Sequence, residues 1–356
     1  MSKILSSYEL IELLSGAFGP SGCEDGVREL IIEQTSDLGI PYTPDRLGNI
    51  TFRIGTGAPD RKKLMLSAHM DEVGFMVTEV TDKGYLKFST VGGISPEVIA
   101  GKHVLVGDEK KSVCGVIASK AIHHKDRDDR LTPEKIEKLV IDIGAKTEEE
   151  AKKFADVGTF VTFAPNFSRF GKNDRMMHSK ALDDRFGCAL LIELLRKLKN
   201  LERELPFDVY VAFTTREEVG ISGATVAANI IRPDYAIVLE TTAVADLSDV
   251  DESKRVASVG GGGAISLMDR STIYDRELID TAMRVAKENG IDVQIKKFVS
   301  GGNDAGHIHK SGTGVRALAL SAPTRYLHSP GCVASLDDYE SMLKLLYKFI
   351  TTENLK

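Results

Sequence analysis

The chain has 356 residues, a formal net charge of −6 and a sequence pI of about 5.8. It is long enough to bury one large core or two modest ones, and it lacks the basic surplus that nucleic acid or an anionic membrane surface would attract. Hydrophobic residues at 42% and charged ones at 28% match a soluble globular protein, and no apolar run approaches the ~18 residues of a bilayer span. Cys23, Cys114, Cys188 and Cys332 are far apart, form no Cys-x-x-Cys and follow no secretory pattern. They therefore read as reduced thiols of a cytoplasmic protein.

Taken in order, residues 8–14 carry apolar side chains at helical spacing and stop at Gly16. Ser21-Gly22-Cys23-Glu24 reads as a capping box ahead of the stripe Val27, Leu30, Ile31. Residues 46–49 form a turn before a strand at 50–54, and 64–68 is a buried strand running into His69-Met70-Asp71-Glu72. From about Val73 to Ala164 the texture changes. Strand candidates at 74–80, 85–91, 103–106, 113–119 and 159–163 are separated by Gly, Asp and Lys turns, the spacing of a small β-barrel or sandwich. Thr132-Pro133-Glu134 and Thr147-Glu148-Glu149-Glu150 each begin a short helix. His123-His124 belongs to a charged run, 120–130, that reads as a solvated loop.

From Ala181 helices and strands alternate again. Asp183-Asp184 precedes a helix over about 185–199, and the strand 209–213 runs into Thr214-Thr215-Arg216-Glu217-Glu218 before a helix at about 223–231. The strand 235–239 ends in Glu240, a helix over 275–289 is stopped by Gly290, strands follow at 293–299 and 315–320, and a helix over 336–350 closes the chain. Such alternation predicts an α/β fold, a mixed and largely parallel sheet flanked by helices. The expected division is a main domain, residues 1–72 and 165–356, with a β-rich domain inserted at 73–164.

Three strand ends share one feature. His69, Glu217-Glu218 and Glu240 each follow a buried strand, and in a parallel sheet those ends lie along one edge, where clefts form. Asp183 and His328 can reach the same edge. Two imidazoles among several carboxylates make a donor set for zinc, cobalt or manganese, and so many anions call for two ions with a bridging carboxylate. Asp71, two residues beyond His69, can accept the second ring N–H of that histidine. Glu217 and Glu218 are adjacent and cannot point alike, so one can hold metal while the other handles a proton. Taken singly, each residue also has a plain structural role: a polar strand end, a helix start or an N-cap. His307 and His309 follow Asp304, which reads as a helix cap. Gly260–Gly263 lacks the lysine of a phosphate loop, and no Gly-x-Ser-x-Gly supports serine catalysis.

The stretches Ser67-Ala68-His69-Met70-Asp71-Glu72-Val73-Gly74, Lys180-Ala181-Leu182-Asp183-Asp184-Arg185, Thr215-Arg216-Glu217-Glu218-Val219-Gly220, Gly301-Gly302-Asn303-Asp304-Ala305-Gly306 and Leu327-His328-Ser329-Pro330 resemble, in order and nearly end to end, the motifs of the M42 metallo-aminopeptidases. Phe18-Gly19-Pro20-Ser21-Gly22 is similar too. The resemblance implies a zinc-exopeptidase-like fold with an inserted β-barrel domain used in dimer contacts. It also implies two divalent ions per subunit, zinc or cobalt, bridged by Asp183. His69 and Glu240 would complete one metal set, and Glu218 and His328 the other. Glu217 would be the general base for a metal-bridged water and Asp71 the aspartate behind His69. Short peptides would be the substrates, and the assembly a homo-oligomer, from dimer to dodecamer. One position departs, because the family usually carries aspartate where Glu240 stands; an extra methylene alters reach and denticity. The pocket for the first side chain is expected to draw on 258–269 and 301–306, with Ile265 and Met268 as an apolar wall. Two other readings are a metal-dependent deacylase or endoglucanase-like hydrolase, and a non-catalytic assembly protein keeping a metal site. Only 6% of residues are aromatic and none is tryptophan, which argues against a long sugar-stacking cleft.

Overall fold

The computed structural model describes residues 4–124, 132–297, 299 and 301–352. Its frame is an eight-stranded sheet with strands in the order Tyr42–Pro44, Ile50–Ile54, Asp208–Thr214, Lys63–His69, Tyr235–Ala243, Arg316–Thr324, Gly263–Ser266 and Val293–Lys296. The four central strands, from Asp208–Thr214 to Arg316–Thr324, are mutually parallel. An antiparallel neighbour flanks them on each side. The central strands are buried at almost every residue, so they read as unbroken apolar runs and not as alternating ones. The helices Leu182–Lys199 and Leu336–Thr352 pack on each other, with the Phe186 and Tyr339 rings edge to face at 5.1 Å. A second group pairs Ser222–Ile231 with the short helix Ala305–Ile308. None of these helices, among the described residues, is long and apolar enough to cross a membrane.

Between the strand ending at His69 and the helix Leu182–Lys199 the chain builds a closed six-stranded barrel. Its strands, in order around the barrel, are Gly74–Val80, Leu86–Val91, Ile141–Asp142, Ser112–Ile117, His103–Gly107 and Phe160–Phe163. Phe75 fills the centre, its ring edge-on to Phe88 at 5.1 Å and to Phe163 at 5.3 Å. Closure resolves the choice between barrel and sandwich. Sequence patterning misses Ile141–Asp142, because a two-residue strand is too short to show a period. A small sheet, Ser168–Phe170, Met176–Ser179 and Cys332–Ser335, ties the returning chain to the segment after His328.

Several local expectations are corrected. Thr132-Pro133-Glu134 starts no α-helix, and only a 3-10 turn, Ile136–Lys138, follows it. Thr147 does cap the helix Glu148–Ala151, accepting the Glu150 N–H at 3.2 Å. The capping box at Ser21 does not form: Glu24 is itself the residue before the helix Asp25–Thr35, and its carboxylate turns elsewhere. Asp304 does not cap Ala305–Ile308 with its side chain either. The strand expected over 293–299 is Val293–Lys296, and residue 298 lies outside the described residues. So do residues 125–130 of the charged run, whereas His123 and His124 are exposed in the turn Ile122–His124.

Candidate active site

Parallel register brings the strand ends together. Thr214 pairs with His69, and Val238 pairs with Ser67 one strand further along, so Glu240 and His69 end at the same level. His69 Nε2 lies 3.5 Å from Glu240 Oε1 and 3.3 Å from Asp183 Oδ1. The other Asp183 oxygen, Oδ2, lies 3.2 Å from His328 Nε2, which is also 3.5 Å from Glu218 Oε1. Asp183 thus stands between the two imidazoles. It comes just before the regular part of its helix, since neither Asp183 nor Asp184 has helical dihedrals.

Three groups of donors follow. His69, Asp183 and Glu240 each offer an atom within 4.8 Å of the others, as do Asp183, Glu218 and His328, and as do His69, Glu217 and Glu218. Asp183 is common to the first two. Glu217 reaches the same space but belongs to neither of the groups that share Asp183. Every site residue expected from the sequence except Asp71 therefore appears in one of these groups.

Asp71 lies behind His69 and also holds the turn that carries the two glutamates. His69 Nδ1 is 3.1 Å from the backbone carbonyl of Asp71 and 3.5 Å from its Oδ1. The carboxylate also accepts two backbone N–H groups, from Glu217 to Oδ1 and from Glu218 to Oδ2, each at 3.0 Å. Fully buried, Asp71 fixes the turn that carries both glutamates, while its main chain sets the tautomer of His69. His328 is oriented from the barrel side, its Nδ1 lying 2.8 Å from the Gly93 carbonyl. With Nδ1–H donated there, Nε2 faces Asp183 and Glu218, where its lone pair could bind a cation lying between them.

The electrostatics are those of crowded anions in a dry place. Burial pushes the Glu217 carboxyl well above its usual range; His69 pulls against this, and Asp304 and Glu218 reinforce it. Burial and the charge of Asp183 push Glu218 up to about 7 and hold Glu240 well above the ordinary range. Asp183 goes the other way: burial opposes its charge, but the facing imidazoles of His328 and His69 outweigh it and hold the carboxyl well below normal. Burial disfavours the charge on His328, yet Asp183 and Glu218 raise it to about 9. Asp183 Oδ1 and Glu218 Oε1 are buried and make no hydrogen bond. Buried anionic oxygens left this way are costly unless a cation takes them. The donor chemistry, imidazole nitrogen with carboxylate oxygen around a shared aspartate, fits a pair of divalent cations.

Comparison with known proteins decides the family. The model of the M42 glutamyl aminopeptidases matches residues 48–345. The chain belongs to the M42 family. A TET aminopeptidase of the marine sediment archaeon Thaumarchaeota archaeon SCGC AB-539-E09 is 35% identical and superposes with a TM-score of 0.92, covering 98% of this chain and 97% of that one. The TET1 peptidase of Pyrococcus horikoshii, which can assemble into a tetrahedron or a large octahedral shell, is 35% identical with a TM-score of 0.86, over 98% of this chain and 100% of that one. The lysyl aminopeptidase of Pyrococcus furiosus is 30% identical over 95% of each chain. This M42 protein is accordingly an enzyme, an aminopeptidase hydrolysing peptide bonds, and its family membership implies use of a divalent metal.

Two further contacts of this M42 chain have no counterpart in the sequence patterns. Asp304 is fully enclosed; its Oδ2 accepts the Thr214 hydroxyl at 2.7 Å, and burial pushes its carboxyl up to about 6. Lys180 is buried on Glu72, at 2.6 Å and 2.8 Å from the two oxygens, and so joins the segment after Asp71 to the one before Asp183. The first signal was in plain view, a Thr and an Asp each beside a motif. The second was not, because nothing in spacing pairs residues 72 and 180. The glycine run at 260–263 is no anion cradle: Gly260 and Gly262 donate their amides to Asp338, at 2.8 Å and 2.7 Å. Ile265 is fully buried in the main core and cannot line an open pocket, whereas Met268 is exposed.

Proposed function

We propose that this chain is a dinuclear metal-dependent aminopeptidase that releases N-terminal residues from short peptides. The observation that carries the reading is Asp183, with one oxygen 3.3 Å from His69 and the other 3.2 Å from His328. His69, Asp183 and Glu240 would hold one cation, and Asp183, Glu218 and His328 a second, zinc or cobalt in each case. Bound there, the pair supplies Lewis-acid polarisation of the scissile carbonyl and lowers the pKa of a water from 15.7 to about 7. Glu217 takes the proton from the attacking water and returns it to the leaving amine, a role favoured by its raised pKa. Asp71 keeps Glu217 and Glu218 diverging by holding both amides.

Residues 1–72 and 165–356 form the catalytic domain in this reading, and 73–164 the barrel domain that contacts other copies. A homo-oligomer is supported by the assembly of the TET1 peptidase of P. horikoshii. Four free cysteines, two of them buried, support a reducing cytoplasmic compartment. The test is a panel of aminoacyl-p-nitroanilides assayed beside carboxymethylcellulose, before and after chelation and with Zn²⁺ or Co²⁺ added back. The proposal expects amide hydrolysis that is lost with chelator and restored by metal. Release of sugar ends with no amide hydrolysis would refute it.

A further inference from the structure

The turn that presents Glu217 and Glu218 is held by its main chain. Four consecutive amides each donate to a side-chain oxygen: Thr215 to Asn49 Oδ1 at 2.8 Å, Arg216 to Glu24 Oε1 at 3.1 Å, Glu217 to Asp71 Oδ1 at 3.0 Å and Glu218 to Asp71 Oδ2 at 3.0 Å. In the middle, Arg216 has a φ of 57°, in the left-handed region that a residue with a Cβ avoids unless its surroundings impose it. Asp71 and Asn49 belong to segments adjoining this edge of the sheet. Glu24 comes from the N-terminal part of the chain, 192 residues from its partner.

That distant carboxylate is itself firmly placed. The segment before it is stitched to Glu72, whose N–H donates to Gly19 O at 3.0 Å and whose carbonyl accepts from Ser21 N at 3.1 Å. Gly19 admits no side chain there, since a Cβ would meet Arg185 Nη2 at 2.6 Å and Val27 Cγ2 at 2.7 Å. Glu24 is only 4% exposed, and its Oε1 also accepts the Gly22 N–H at 2.7 Å. Asp71 and Glu24 are thus locked to each other through Glu72, and together they take three neighbouring amides.

We propose that Glu24 is a positioning residue for the two glutamates: by accepting the Arg216 amide it holds that residue left-handed and so sets the directions in which Glu217 and Glu218 leave the turn. The proposal rests on the reading of Glu217 as general base and Glu218 as metal ligand. What Glu24 supplies is an acceptor oxygen at the right reach, not its charge. A glutamine can offer the same oxygen, an aspartate is one methylene too short, and an alanine offers nothing.

The full chain is compared as wild type, Glu24→Ala, Glu24→Gln and Glu24→Asp. Hydrogen exchange of the peptide spanning 214–220 is followed without added metal, and kcat and KM on an aminoacyl-p-nitroanilide are measured with saturating Co²⁺. In Glu24→Ala the turn should lose protection while the parallel strands keep theirs, and kcat should fall by about 10²-fold with KM little changed. Glu24→Gln should restore both readouts, and Glu24→Asp should not. Wild-type protection and kcat in Glu24→Ala would overturn the proposal, as would a glutamine variant no better than alanine. If Glu24→Ala does not fold, the order of Gln over Asp supports the proposal and the reverse order refutes it. A wild type inactive on every aminoacyl substrate would remove the peptidase reading, and the exchange measurement alone would then decide whether Glu24 holds the turn.

Discussion

The barrel and the carboxyl edge of the main sheet solve opposite problems. Among the described residues from Gly74 to Phe163, which carry the barrel strands, one polar side chain is buried, Thr162, and that one lies 3.4 Å from Lys180 Nζ as an acceptor. The barrel core is apolar and closed around Phe75, Phe88 and Phe163. The sheet edge buries His69, Asp71, Asp183, Asp184, Glu240 and Asp304 together, with oxygens of Asp183, Asp184 and Asp304 left unbonded. Burying uncompensated charge on that scale works against folding. One region is therefore built for shape and the other for a task, and they meet where the Gly93 carbonyl orients His328.

The largest break in that contrast should come from Asp183→Ala. If the crowded edge exists to hold cations, removing the shared carboxylate abolishes activity, and elemental analysis should find neither ion retained. Glu217→Gln should come next, with both ions kept and kcat reduced by roughly 10²–10⁴ or more, because only the proton carrier is lost. Near-normal turnover in that variant would remove Glu217 as the base. On the barrel side, Phe75→Ala should cost about 3–5 kcal/mol, read from denaturant unfolding, because a buried ring at the centre of a closed core leaves a cavity. It should also weaken uptake of metal at the His328 set, through Gly93, while leaving the His69 set unchanged. Glu240→Asp should have the smallest effect. Both ions should stay bound and turnover should change modestly, with the shift confined to the affinity of the His69 set in a competitive metal titration. A Glu240→Asp variant that loses both ions would show that reach at this position controls the whole centre.

These contrasts also explain what sequence could reveal. The buried parallel strands announced themselves, since burial on both faces demands continuous apolar runs such as 64–68 and 235–239. Each run ended in a residue too polar for its place, and His69, Glu217, Glu218 and Glu240 stood out for that reason. Asp183 and His328 lie off the strands, and only their motifs tied them to the same edge. Hydrogen-bond direction was beyond reach. Asp71 sits two residues after His69, which suggested a ring partner; its Oδ1 lies 3.5 Å from the ring, but nothing in the spacing showed that the same carboxylate also takes the amides of Glu217 and Glu218. Glu24 fitted a capping box by spacing and instead crosses the molecule to Arg216. Local patterns name the candidates, but chain segments far apart in sequence decide which of them a side chain meets.

The most direct measurement is anomalous scattering at the zinc edge from crystals grown with zinc. Two peaks are predicted, one among His69, Asp183 and Glu240 and one among Asp183, Glu218 and His328, with the aspartate touching both. A single peak, or peaks that leave Asp183 without a metal neighbour, would contradict the account.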